Sequence, residues 1–81
     1  MTYFYVYILE SIQFPDKTYI GFTSNLKQRL AKHYEGGSIY TSKFKPWKIK
    51  NAFAFTEKEK ALAFEKYLKS HSGRAFAKKH L

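Results

Sequence analysis

The segment TYFYVYILE, residues 2–10, is apolar on both faces of an extended chain, with Phe4, Val6 and Ile8 on one side and Tyr3, Tyr5, Tyr7 and Leu9 on the other. A strand of that kind belongs in the middle of a sheet, covered above and below. The rest of an 81-residue chain must therefore supply neighbours at both edges and packing layers on both faces. The tyrosines are the unexpected part, because a strand that served only a core would use Val, Ile and Leu there.

A second tyrosine-bearing run, KTYIGF at 17–22, returns after SIQFPD, where Pro15-Asp16 marks a turn. The two runs form a hairpin. With the turn centred near Gln13, Tyr7 and Tyr19 are expected opposite each other, and Gly21 follows on the same face, leaving space where a side chain would stand.

Thr23 or Ser24 is the expected cap of a helix over LKQRLAKHYEGG, stopped by Gly36-Gly37. Leu26, Leu30 and Tyr34 form its core stripe, bordered by Arg29 and His33. SIYTSKFKP reads as a basic connector. WKIKNAFAF alternates Trp47, Ile49, Asn51, Phe53 and Phe55 against Lys48, Lys50, Ala52 and Ala54, and its lysines and Pro46 suit an edge strand. Thr56 and Glu59 read as a capping box for the helix EKEKALAFEKYLKS, whose inner side is Ala61, Leu62, Phe64 and Leu68 with Glu65 among them. Ser72 is the expected cap of a last helix, GRAFAKKHL. The order β-β-α-β-α-α predicts an α+β fold: a small three-stranded antiparallel sheet packed with helices, as one domain over residues 1–81.

Eight Phe, seven Tyr and one Trp give a short chain the apolar area its core needs. Without cysteine, neither a disulfide framework nor a Cys-based metal site is available. There is no signal peptide and no apolar run of membrane-spanning length, so the chain reads as a cytoplasmic protein with no membrane partner. Fifteen Lys and Arg against six Asp and Glu give a formal charge of +9, and residues 41–81 carry +8 of it. That asymmetry points to nucleic acid, because cations that neutralise phosphates release condensed counterions. Lys43, Lys45, Lys48, Lys50, Lys69, Arg74, Lys78 and Lys79 are candidates to grip backbone phosphates, which carry no sequence information.

Three features then converge: paired tyrosines, an Arg/His helix edge, and one carboxylate on an apolar helix face. A carboxylate placed like Glu65 either pairs with Lys69 at i+4 or binds a metal, and periodicity leaves both readings open. One carboxylate holds magnesium when phosphate oxygens and water complete the shell. Arg29 offers a charged fork for a phosphate oxygen, and His33 a group that moves a proton near neutral pH. Taken singly, Tyr7 and Tyr19 are ordinary strand aromatics, and Arg29 and His33 ordinary helix-surface residues. There is no Ser-His-Asp order, no phosphate-cradling glycine loop and no His-rich metal motif.

VYI at 6–8, YIG at 19–21 and TSNLKQRLAKH at 23–33 resemble the GIY-YIG nuclease family, and above all its small stand-alone bacterial members. The likeness continues through YTSKFKPWKI at 40–49 and ALAFEKYLKS at 61–70. The resemblance implies a metal-dependent endonuclease that hydrolyses phosphodiester bonds in DNA, structure-specific and linked to repair or recombination. It assigns Tyr7 as general base on the attacking water, and Tyr19 and His33 as lining residues of the same catalytic site. Gly21 keeps the backbone close, Arg29 holds and polarises the scissile phosphate, and Glu65 is the only protein ligand of one divalent ion, magnesium or manganese. A phenol titrates near ~10, so the base role calls for cations that favour the phenolate. Two departures stand out. Tyr5 occupies the position where the motif's name has glycine, and no Asn follows residue 51. The alternatives are a nucleic-acid-binding module with weak or no catalysis and, fitting the charge less well, a protein-interaction domain. With no second domain to choose a target, selection falls to DNA shape, a guiding partner protein, or a homodimer.

Overall fold

The fold comes from a computed structural model that describes residues 2–35 and 39–81. Its elements are β1 (Phe4–Ser11), β2 (Thr18–Thr23), α1 (Leu26–Tyr34), α2 (Ile39–Lys43), β3 (Trp47–Phe55), α3 (Lys58–Lys69) and α4 (His71–His80). The three strands form one antiparallel sheet in the order β2-β1-β3, so the strand that is apolar on both faces is central, as its pattern requires. Val6, Tyr7, Ile8 and Leu9 are all buried. On one face Val6 and Ile8 pack with Ala61 and Leu68 of α3, flanked by Ile20, Phe22, Phe55 and Phe64. On the other, Tyr7, Leu9 and Trp47 pack with Tyr19, Leu26, Leu30 and Phe44. No helix among the described residues is long and apolar enough to cross a membrane.

The hairpin register differs from expectation by one residue at the turn. Tyr7 faces Gly21 across the ladder, and Tyr19 faces Leu9. The turn centres on Phe14, closed by Lys17 N–H donating to the Phe14 carbonyl at 2.8 Å and Ser11 N–H to the Lys17 carbonyl at 3.0 Å. Because the offset moves pairs by two along β2, Tyr7 and Tyr19 still share a face.

β3 is an edge strand, but it does not alternate throughout. Asn51 pairs with Ile8 and Ile49 with Leu9, leaving Lys50 as the extra residue of a bulge. Phe53 and Phe55 thus stand on the Val6 face, while Ile49 and Trp47 stand on the Leu9 face. The connector before β3 contains the short helix α2. Trp47 Nε1 donates to the Thr41 carbonyl at 2.8 Å and Ser11 Oγ to the Phe44 carbonyl at 2.7 Å, which ties this segment to the sheet.

The helix caps also differ from expectation. Asn25 caps α1, its side chain accepting from Gln28 N–H at 3.1 Å, while Thr23 Oγ1 accepts from Asn25 N–H. The Thr56–Glu59 capping box does not form; α3 begins after Glu57 with no side-chain cap. Ser70 caps α4 by accepting from Gly73 N–H at 3.1 Å, so α4 starts directly after α3, and Ser72 lies within it. A Cβ on Gly73 would run into the Tyr67 carbonyl, so only glycine permits this close helix joint. The expected Gly36-Gly37 stop lies outside the described residues.

Candidate active site

Tyr7 comes from the middle of β1 and is completely buried. Its ring lies over Gly21 of β2, where any Cβ would overlap the phenol. The hydroxyl reaches Nε2 of His33 at 2.8 Å. Leu26 and Leu30 seat α1 on the sheet, and that fixes the helix rotation that turns Arg29 and His33 toward Tyr7. His33 is only 6% exposed, so it is an interior residue and not a helix-edge one. The Tyr19 ring closes the cluster, 4.6 Å from the His33 ring and 6.3 Å from that of Tyr7 between centroids.

Burial, first of all, and the neighbouring Tyr19 push the Tyr7 phenol up to about 12, with Glu65 adding to the rise. Arg29 opposes them by its charge and by a hydrogen bond to the phenol, without prevailing. The expectation that cations would favour the phenolate is therefore not met by the protein's own groups. Burial, and then the Arg29 charge, hold His33 below its ordinary value of 6.5, so the imidazole is neutral at pH 7. With its proton on Nδ1, a neutral His33 accepts the Tyr7 hydroxyl proton at Nε2.

Glu65 stands on α3 with its carboxylate 19% exposed, and Lys69 Nζ lies 3.2 Å from Oε2. Glu65 makes the expected i+4 pair, and its charge also bears on Tyr7. Among the described residues no group of three or more His, Asp and Glu could hold a metal between them. A half-buried carboxylate whose partner is an ammonium 53% exposed fits a site with one protein ligand, since that ammonium can swing into water.

The basic candidates divide into groups. Lys50, Lys69, Arg74 and Lys78 line one groove of about 920 Å³ that also reaches Tyr19. Lys48 and Lys50 both pair with Glu10, at 3.3 and 3.9 Å. Lys43, Lys45 and Lys79 are exposed outside the groove, and the Lys43 ammonium sits 5.4 Å from the centre of the Phe44 ring. Sequence reading missed Lys17, which also lines the groove. Its only signal was its position between the Pro15-Asp16 turn and the second tyrosine run.

Sheet order, helix order and a tyrosine-built polar cluster define a small α+β domain with a site at the sheet's β2 side. Residues 3–79 match the GIY-YIG catalytic domain, and the chain belongs to the GIY-YIG family, a family of nuclease domains. It is similar to a UPF0213 protein of Streptococcus pneumoniae, 39% identical over 66 residues that make up 80% of this chain and 65% of that one. It is also similar to a structure-specific endonuclease subunit SLX1 homolog of Giardia intestinalis, 37% identical over 75% of this chain, which spans only 18% of that longer protein. The solution structure of the UPF0213 protein BH0048 from Bacillus halodurans superposes with a TM-score of 0.57 at 34% identity, covering 96% of this chain and 81% of that one.

Proposed function

We propose that this chain is a divalent-metal-dependent endonuclease that hydrolyses phosphodiester bonds in DNA, with Tyr7, Tyr19, Arg29, His33 and Glu65 forming the catalytic site. The observation that carries the reading is the buried hydrogen bond between Tyr7 and a neutral His33, flanked by Arg29 and Glu65.

A phenol held near 12 is not ionised at pH 7, so Tyr7 works as a relay and not as a standing phenolate. As water attacks phosphorus, its proton passes to the Tyr7 oxygen while Tyr7 gives its own proton to His33 Nε2. The new P–O bond forms as the bond to the leaving oxygen breaks, and that oxygen takes its proton from solvent, to which His33 later returns the one it accepted. Arg29 holds a non-bridging oxygen and offsets the charge that builds there. Tyr19 packs on the imidazole and limits its rotation. Glu65 is the residue that would hold the ion, magnesium or manganese. When bound, that ion supplies charge stabilisation at the leaving oxygen.

Recognition of nucleic-acid shape is supported by the name of the Giardia relative, a structure-specific endonuclease subunit; a role in repair or recombination rests on the family resemblance alone. Target choice by a guiding partner or by a homodimer follows from the same reading, in which residues 1–81 act as one catalytic unit. A second reading, a nucleic-acid-binding module without catalysis, draws on the Lys69 ammonium seated on Glu65. The deciding experiment is cleavage of single-stranded, duplex, branched and RNA substrates with magnesium or manganese, beside Glu65→Ala. Cutting lost on chelation and in the variant supports the nuclease. Inert protein that still binds in a salt-sensitive way supports the second reading.

A further inference from the structure

We infer that the groove between the β1–β2 hairpin and α4 is a subsite for an unpaired nucleotide of the strand being cut. This rests on the nuclease reading and narrows it to substrates with an unstacked base beside the scissile phosphate.

The groove has two chemistries in one cavity. Its floor is aliphatic, built from Ile8 and Ile20 of the sheet and from Leu68 and Ala77 of the helices. Its rim is cationic, with Lys17, Lys50, Lys69, Arg74 and Lys78. Asp16 is the one acidic side chain among the lining residues, and it lies 3.9 Å from Lys17. Arg74 and Lys78, four apart on α4, are in ion pairs with none of the described carboxylates. At about 920 Å³ the space falls at the upper end of the roughly 300–1,000 Å³ of ligand-sized sites.

Ile8 and Leu68 of the floor serve the core, but phosphate alone would explain the rim and leave the partly exposed Ile20, Ala77 and Leu81 uncovered. A duplex presents its phosphates outward and keeps its bases stacked, so it could engage only the rim. An unpaired nucleotide offers both a flat apolar base and a phosphate, which is the pairing of surfaces found here. The groove lies on the Val6 and Ile8 face, across the sheet from the Tyr7 ring, and the two meet at the β2 edge, where Tyr19 borders both and Lys69 reaches from the groove to Glu65. A strand crossing the site would thus have an adjoining nucleotide within reach of the groove.

Fluorescence anisotropy in chelator, where no cleavage occurs, tests this. The probes are oligothymidylate, a strand of equal length made of abasic sites, and a hairpin duplex. Oligothymidylate is expected to bind about tenfold more tightly than the abasic strand of the same charge. The double variant Arg74→Glu/Lys78→Glu should lose that advantage. Lys43→Glu/Lys45→Glu, the same charge change outside the groove, should weaken both strands alike and keep it. Circular dichroism confirms that both variants fold. Equal affinity for oligothymidylate and the abasic strand overturns the proposal. So does duplex binding as tight as single-strand binding with the same dependence on Arg74 and Lys78. Thymidine monophosphate that binds without displacing the strand also overturns it. A protein that never cleaves would defeat the nuclease reading and leave these binding comparisons standing.

Discussion

The Tyr7 hydroxyl meets His33 Nε2 at 2.8 Å, joining the middle of β1 to the last turn of α1. The bond makes two groups that each look weak for proton transfer at pH 7 into one path: a phenol too basic to ionise and an imidazole neutral enough to accept.

Tyr7→Phe removes the hydroxyl and keeps the ring over Gly21. We expect cleavage to fall roughly 100- to 10,000-fold with the fold retained. The phenol also leaves a mark on stability. Its folded value, about 12, lies above the ordinary 10.0, so its contribution is full below pH 10 and is lost as pH rises toward 12. Melting curves should show wild type weakening across that window more than Tyr7→Phe, by a few kcal/mol at most at about 1.4 kcal/mol per pKa unit.

His33 titrates below 6.5, so its contribution to stability is present above 6.5 and declines as pH falls through its folded value. The acid limb of the cleavage-rate profile should follow the same group. His33→Gln can still hydrogen-bond the phenol but cannot take its proton usefully. It should flatten that limb and lower the rate about 100-fold or more. A profile unchanged in His33→Gln would remove His33 from the proton path.

Gly21→Ala places a methyl group where the Tyr7 phenol now lies. Overpacking of this kind costs roughly 1–3 kcal/mol, and displacing the phenol separates it from His33. Denaturant midpoints and cleavage rates should fall together. A variant of wild-type stability and rate would contradict the observed packing.

Lys69→Met removes the ammonium that now pairs with Glu65. Exposed pairs contribute about 0.2–1 kcal/mol, so manganese binding by calorimetry should tighten by up to about fivefold, and Glu65→Gln should abolish it. Weaker binding in Lys69→Met would mean that Lys69 orients the carboxylate and does not compete for it.

Much of the architecture was legible because β1 is apolar on both faces, which left few ways to arrange the remaining elements. What escaped the sequence shares a cause. Asn25 and Ser70 cap their helices in preference to Thr23, Ser24 and Ser72, and a choice among neighbouring polar side chains is settled by the approach of the chain, which local pattern does not carry. The burial of His33 was likewise hidden, since helical spacing gives a direction around the axis but not a depth. Tyr7, Tyr19 and Gly21 were read onto one face, yet which residue faced Tyr7 depended on a turn centre displaced by one position. The Lys50 bulge disappeared into an alternation that seemed unbroken.

That bulge has an evolutionary consequence. By adding one residue between Ile49 and Asn51, β3 gives Trp47 to one core and Phe53 to the other. In an unbroken strand these two aromatics would share a face, so it is the bulge that sends them to opposite layers. Deleting Lys50 would close the bulge and leave Asn51 on Ile8 and Ile49 on Leu9, so Trp47 would keep its layer and its hold on Thr41. Lineages of this domain should accumulate substitutions at that point and tolerate loss of the bulged residue.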